Sequence, residues 1–286
     1  MTPLDVAPGS AKPGAQSQKS EMATRIASAV ILAALALGAV VASRWTFAAL
    51  MIVAGVTVAW EWGRLVRRGG FDTIAAIQAA SVGAVAIFVT LGRPDLALIS
   101  VAAAFVVTSI LGFSSHTLGW SLGGLAYSVL PAWSMVWLRS DQTLGAVALL
   151  FLFAVTWTTD TASYAGGRLI GGPKLAPRIS PRKTWSGLIL GMLTPALIGY
   201  AFAVTLKGTS SLRLALAAVA IAAACQIGDL SESAVKRRFG AKDMSHLIPG
   251  HGGLLDRIDG LLIAAIAAVL IALRDPSSPG RGLLIW

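Results

Sequence analysis

Apolar stretches about as long as a lipid bilayer is thick recur from one end of this chain to the other. A hydrocarbon core about 30 Å deep takes roughly 20 consecutive apolar residues in a helix, and several runs here reach 17–20 residues, beginning with 26–42. Such runs leave few options. In lipid every backbone N–H and C=O must be satisfied within the protein, which only helices and closed barrels achieve. No alternating polar and apolar strands of the barrel type are present. Composition agrees: 56% of the residues are hydrophobic and 13% charged, against about 25% charged in soluble domains. The predicted class is therefore all-α, a polytopic integral membrane protein with about nine transmembrane helices. They fall at roughly 26–43, 46–62, 74–92, 95–112, 119–138, 143–160, 186–206, 212–229 and 254–273. Residues 1–22, rich in Pro, Gly, Ser and Gln, read as a disordered tail, and 23–286 as a single integral membrane domain. The first apolar run has signal-peptide features, but the many spans after it favour an uncleaved helix.

The net charge of +10 does not point to nucleic acid. The basic residues sit in loops between spans, with no basic amphipathic helix carrying interleaved aromatics. Two long charged segments, 161–185 and 230–253, are separated by two spans, so parity puts them on one side of the membrane. That side, with the tail and the loop after the second span, carries sixteen of the 23 Lys and Arg residues. By the positive-inside rule it is cytoplasmic. The expectation is a multi-pass protein of the cell (inner) membrane whose active site faces the cytoplasm. Trp133, Trp137 and Trp157 read as headgroup anchors, and the single Cys225 as a small packing residue.

The chemistry concentrates in 228–260. This stretch holds Asp229, Glu232, Asp243, Asp256 and Asp259, five of the thirteen acids, among Lys236, Arg237, Arg238, Lys242, Arg257, His246 and His251. Ionisable groups beside lipid-facing segments are costly, about 2.5–3.5 kcal/mol each at a helix centre, and so point to a site. Asp229 and Glu232, like Asp256 and Asp259, stand three apart on one helix face. If their helices pack together, two acidic pairs face each other. Carboxylate oxygens beside phosphate binders suit Mg²⁺, with Asp229, Asp256 and Asp259 as ligands. One Cys and three scattered His do not make a zinc site. The plainer alternative is capping and ion pairing, as between Glu232 and Lys236. Lys236, Arg237, Lys242 and Arg257 are candidate phosphate binders. His251, Gly252 and Gly253, just before the ninth span, place backbone N–H groups at a helix N-terminus, where a phosphate is favoured. The alternative is a plain basic loop. In the other segment, Arg182 and Lys183 suit a triphosphate or a lipid phosphate, Ser180 and Thr184 are hydrogen-bond donors, and Asp160 either assists the metal or caps a helix.

These two segments resemble the phosphatidate cytidylyltransferase (CDP-diacylglycerol synthase) family. The family pattern is met at Ser233, Val235, Lys236 and Arg237, then at Lys242 and Asp243, at His251, Gly252 and Gly253, and at Asp256, Arg257, Ile258 and Asp259. It is met again around Asp160, Thr161 and Tyr164, and at Ser180, Pro181, Lys183 and Thr184, with Ser163 standing where Ala is usual. The resemblance implies transfer of a cytidylyl group from CTP to phosphatidate, giving CDP-diacylglycerol and pyrophosphate, with Mg²⁺ as cofactor. It implies Asp229, Lys236, Arg237, Asp256, Arg257 and Asp259 as catalytic residues. Substrate would be bound by Ser180, Arg182, Lys183, Thr184, Ser233, Lys242, Asp243, His251, Gly252 and Gly253. A CTP-dependent polyprenol kinase, a cytidylyltransferase for another lipid phosphate, and a transporter remain as alternatives. The sequence leaves a homodimer open. It contains no P-loop, no Gly-x-Ser-x-Gly elbow and no Asp-Gly-x2-Ala-Arg motif of the enzymes that consume CDP-diacylglycerol.

Overall fold

The computed structural model describes residues 15–113, 117–248 and 252–286. The helices are α1 (Ala15–Ala42), α2 (Arg44–Arg67), α3 (Thr73–Thr90), α4 (Pro94–Gly112), α5 (Leu118–Ser140) and α6 (Gly145–Leu169). A hairpin of β1 (Lys174–Ala176) and β2 (Ser180–Thr184) follows, then α7 (Trp185–Leu193), α8 (Pro195–Thr205), α9 (Ser211–Arg238), α10 (Leu255–Ala272) and α11 (Pro279–Leu284). Six stretches, Arg44–Arg67, Thr73–Thr90, Pro94–Gly112, Gly145–Leu169, Trp185–Thr205 and Ser211–Arg238, are long and apolar enough to cross a membrane. The chain is thus an all-α, multi-pass membrane protein.

Local chemistry sets the boundaries. Ser43 and Thr46 form a capping box that starts α2, the Thr46 amide donating to Ser43 Oγ at 3.0 Å. Asp72 caps α3 by accepting from the Ala75 amide at 2.8 Å, and its other contact is the Arg67 guanidinium, Nη2 to Oδ1 at 2.9 Å. Burial pushes the Asp72 carboxyl up, but Arg67 and the Ala75 amide outweigh it and hold the pKa below its ordinary value. The expected span 186–206 is two helices that change over at Thr194, because Pro195 offers no N–H to the preceding turn.

Three expectations give way. Helix α6 runs to Leu169 rather than 160, and α9 to Arg238 rather than 229, so both charged segments begin as helix. Polar side chains do not stop a helix, and the breaks come only at Gly171 and Gly240, both at positive φ. The remainder of the first segment folds as an antiparallel hairpin with Lys174 opposite Thr184 and Ala176 opposite Ser180. At the N-terminus α1 begins at Ala15, inside the stretch read as a tail, while 1–14 lie outside the described residues.

Helices α2 to α5 pack on one another, as do α6 to α10, and α5 joins the halves through α6 and α10. Hydrogen bonds between chain turns sort into two ends. At one, Trp62 Nε1 donates to Trp120 O at 2.8 Å and Arg237 Nε to Ile179 O at 3.3 Å. At the other, Arg139 Nε donates to Val40 O at 2.8 Å and Thr209 Oγ1 to Leu284 O at 2.7 Å. The two charged segments meet at the first end, beside a small separate core of Val58, Trp62, Val66, Met244 and Leu255.

Candidate active site

A polar pocket of about 760 Å³ opens at that end. Its walls are α6 (Asp160, Ser163), the hairpin (Arg182, Lys183, Thr184), α9 (Gln226, Asp229, Lys236), the following loop (Asp243) and α10 (Asp256, Arg257, Asp259). Lys183 Nζ reaches Asp229 Oδ2 at 2.7 Å, tying together residues 46 positions apart in the chain. Ten candidates therefore converge: Asp160, Arg182, Lys183, Thr184, Asp229, Lys236, Asp243, Asp256, Arg257 and Asp259. Ser180, Ser233, Arg237, Lys242, Gly252 and Gly253 do not line the pocket. His251 lies outside the described residues.

Asp229 and Asp259 meet because α9 and α10 touch backbone to backbone. A Cβ on Gly228 would sit 2.7 Å from Asp259 O, and one on Gly260 would sit 2.6 Å from Cys225 Sγ. Small residues at a helix crossing allow such an approach. Cys225 is the buried packing residue the sequence suggested.

Lys236 stands between two carboxylates, Nζ at 2.7 Å from Glu232 Oε2 and 2.7 Å from Asp256 Oδ1. The i,i+4 pair expected of Glu232 and Lys236 is present. Removing one member of such a buried set typically costs about 3–5 kcal/mol, because a charge is left uncompensated. Asp256 Oδ2 also accepts from the Met244 amide at 2.8 Å and the Gly253 amide at 2.8 Å. Both its oxygens are thus engaged within the protein, so Asp256 ties the start of α10 to α9 and to the Met244 amide while lining the pocket. Thr184 lines the pocket but spends its hydroxyl on the Gly187 amide, capping α7. Arg237 donates to Ile179 O and, at 3.1 Å, to Ala241 O, fastening α9 to the hairpin.

Three amides at the start of α10 are taken up within the protein. Gly253 N is held by Asp256, while Leu254 N and Leu255 N donate to Glu61 Oε1 and Oε2 at 2.9 and 2.7 Å. Glu61, on α2, is wholly buried and also accepts from Ser245 Oγ at 2.6 Å. A Cβ at Gly253 would meet Glu61 Oε1 at 2.5 Å, so the glycine makes room for this carboxylate. Sequence reading missed Glu61. Its signal was present: a lone acid within an apolar run, Trp60-Glu61-Trp62. Gln226, whose Nε2 donates to Ser163 Oγ, was missed as well.

The cytidylyltransferase family profile matches residues 23–273. The phosphatidate cytidylyltransferase of Brucella suis biovar 1 is 38% identical over 248 residues, covering 86% of this chain and 91% of that protein. The phosphatidate cytidylyltransferase of Pseudomonas aeruginosa is 35% identical over 263 residues, covering 87% of this chain and 96% of that protein. The chain belongs to the cytidylyltransferase family. The similarity reaches well beyond the two charged segments, into α1 to α5.

A second cavity, of about 400 Å³, completes the picture of this cytidylyltransferase-family site. It is walled mainly by apolar side chains of α1, α2, α5, α6 and α10, among them Leu32, Met51, Val58, Met135 and Phe153. Asp160, Arg257 and Asp259 line both cavities, so a polar chamber and an apolar one share a wall. Trp157, expected as a headgroup anchor, lines the apolar one. Among the described residues no three His, Cys, Asp or Glu gather as a ready-made metal site. Of the pocket acids, Asp160 lies 3.9 Å from Cys225 Sγ and Asp229 pairs with Lys183. Asp259 Oδ1 accepts from the neighbouring Gly260 amide at 2.8 Å. These three retain oxygens for a further partner.

Proposed function

We propose that this protein is a phosphatidate cytidylyltransferase, joining CTP and phosphatidate to give CDP-diacylglycerol and pyrophosphate. The observation that carries the reading is the shared wall: a cation-bearing polar chamber suited to a triphosphate abuts an apolar chamber suited to acyl chains. A lipid phosphate oxygen attacks the α-phosphorus of CTP; the bond from that phosphorus to the bridging oxygen breaks, and pyrophosphate departs. The nucleophile is already an anion, so proton removal adds little. What the protein supplies is the pairing of two anions and compensation of their charge. Arg182, Lys183 and Arg257 serve that role, with Lys236 held in place between Glu232 and Asp256.

The acids suit Mg²⁺, which takes one or two carboxylates together with substrate phosphates and water rather than a closed protein cage. Asp229, Asp256 and Asp259, with Asp160, would hold it, and when bound it would neutralise charge on the triphosphate. Nine crossings, by α1 to α6, α7 with α8, α9 and α10, would place this end in the cytoplasm of a cell whose inner membrane holds the protein. The basic residues around the site support that orientation.

Purified protein with phosphatidate, Mg²⁺ and CTP labelled at either the α- or γ-phosphate tests the reaction. The α label should enter lipid and the γ label should leave as pyrophosphate. Lipid carrying the γ label would make it a kinase, and solute flux without CTP turnover a transporter.

A further inference from the structure

Tyr127 of α5 lines the apolar cavity, and its hydroxyl is buried with no hydrogen-bond partner among the described residues. Of the side chains with such an unpartnered buried atom, Tyr127 alone lines this cavity. The ring is held in place. It stacks on Trp62 at 5.2 Å between centroids and 29° between planes, and Trp62 is itself fixed by its bond to Trp120 O at 2.8 Å. A buried hydroxyl left unpaired is unfavourable, so its persistence on a cavity wall marks a place where a ligand completes the bond.

The partner must be an acceptor, and a neutral one fits best. Arg182, Lys183 and Lys236 line the polar chamber alone and Arg257 lines both, whereas the part of this cavity's wall that α2 and α5 supply, including Met51, Val58, Ser128 and Met135 beside Tyr127's own helix, carries no cation. In a diacyl lipid whose phosphate lies among those cations, the acceptors that come next toward the apolar chamber are the two ester carbonyls. We propose that the Tyr127 hydroxyl donates a hydrogen bond to an acyl-ester carbonyl oxygen of the lipid substrate, so that the site distinguishes ester-linked from ether-linked lipids. This rests on the cytidylyltransferase reading above and assigns one recognition contact within it.

The test uses the full-length protein with dioleoyl phosphatidate and its dialkyl ether analogue, which has no carbonyls. Wild type should show a KM about tenfold lower for the ester, since a hydrogen bond of this kind is worth roughly a factor of ten. Tyr127→Phe should raise the ester KM to the ether value, leaving the ether KM and both kcat values unchanged. Equal KM for ester and ether in wild type overturns the proposal without reference to any variant. So does a Tyr127→Phe effect of the same size on both lipids, which would mean a structural role or a bond to the phosphate. If wild type turns over neither lipid, the cytidylyltransferase reading itself fails.

Discussion

Each end of the bundle contains a buried carboxylate saturated by hydrogen bonds, and the two do different work. At the far end Asp141 Oδ1 accepts from Thr143 N, Thr143 Oγ1 and Leu144 N, each at 2.9 Å. Its Oδ2 accepts from Ser278 Oγ at 2.6 Å and Gly280 N at 3.0 Å. It thereby joins the start of α6 to the C-terminal turn, and no pocket lies beside it among the cavities described. At the near end Glu61 accepts from Ser245, Leu254 and Leu255. The segment it holds leads directly into Asp256, Arg257 and Asp259. The same device closes the fold at one end and positions the pocket's charged side chains at the other. The near end's pocket also carries acids with unspent oxygens. A carboxylate's importance for turnover is thus read from what its partners support, not from its own burial.

The sharpest way to break this comparison is to remove an unspent acid. Asp229→Asn keeps the shape but removes the charge facing Lys183, and turnover should fall at least ~100-fold, about 2.7 kcal/mol of barrier, with membrane insertion intact. Initial rate against Mg²⁺ concentration is the readout; a wild-type rate and Mg²⁺ response would show Asp229 to be merely a partner of Lys183. Next, Lys183→Ala should cost about 10- to 100-fold at subsaturating CTP, because the hairpin loses its cation in the polar chamber. A near wild-type rate would detach the hairpin from the site. Third, Glu61→Gln places an amide where amides already donate. It should lower the unfolding temperature and also reduce kcat, by about tenfold. Asp141→Asn should lower the unfolding temperature alike while leaving the rate per folded molecule unchanged. Equal kinetic effects from both would erase the distinction drawn here.

The smallest effect concerns acid. Burial pushes the Asp141 carboxyl up, but the Leu144 amide, Ser278 and Thr143 outweigh it and hold the pKa at about 2, below the ordinary 3.8. A depressed carboxylate contributes stability that is full above its unfolded value and is lost as pH falls through its folded one. Unfolding of wild type should therefore become easier as pH drops from about 4 towards 2, and Asp141→Asn should flatten that part of the profile. Thermal unfolding in detergent across this window checks it.

Much of this was legible in the sequence because it follows from length and polarity. The apolar runs mark out the helices, and the Glu232–Lys236 pair follows from helical spacing alone. The convergence of 161–185 with 228–260 was available from counting spans. What escaped depends on three-dimensional neighbours. Asp256 was read for the metal alone, whereas its further bonds to the Met244 and Gly253 amides depend on residues brought to it by the fold. Gly252 and Gly253 look like phosphate-loop glycines, yet Gly253 is required by a carboxylate from α2, nearly two hundred residues earlier. Charged residues 161–169 and 230–238 read as loop because polarity was taken for the end of a span, whereas helices can project beyond the apolar layer. Tyr127 carries no motif at all, and its interest comes from a missing partner.

The glycine contact between α9 and α10 has a practical consequence for anyone wishing to alter this protein. The gap between Asp229 and Asp259 is set by main chains in contact, with Gly228 and Gly260 at the crossing. No choice of neighbouring side chain can widen or narrow it by degrees, since the first added carbon already collides with a backbone oxygen or a sulfur. Libraries aimed at new headgroups or nucleotides would do best to hold positions 225, 228 and 260 constant. Variation belongs instead on the apolar wall of α2 and α5, where side chains rather than backbones define the space.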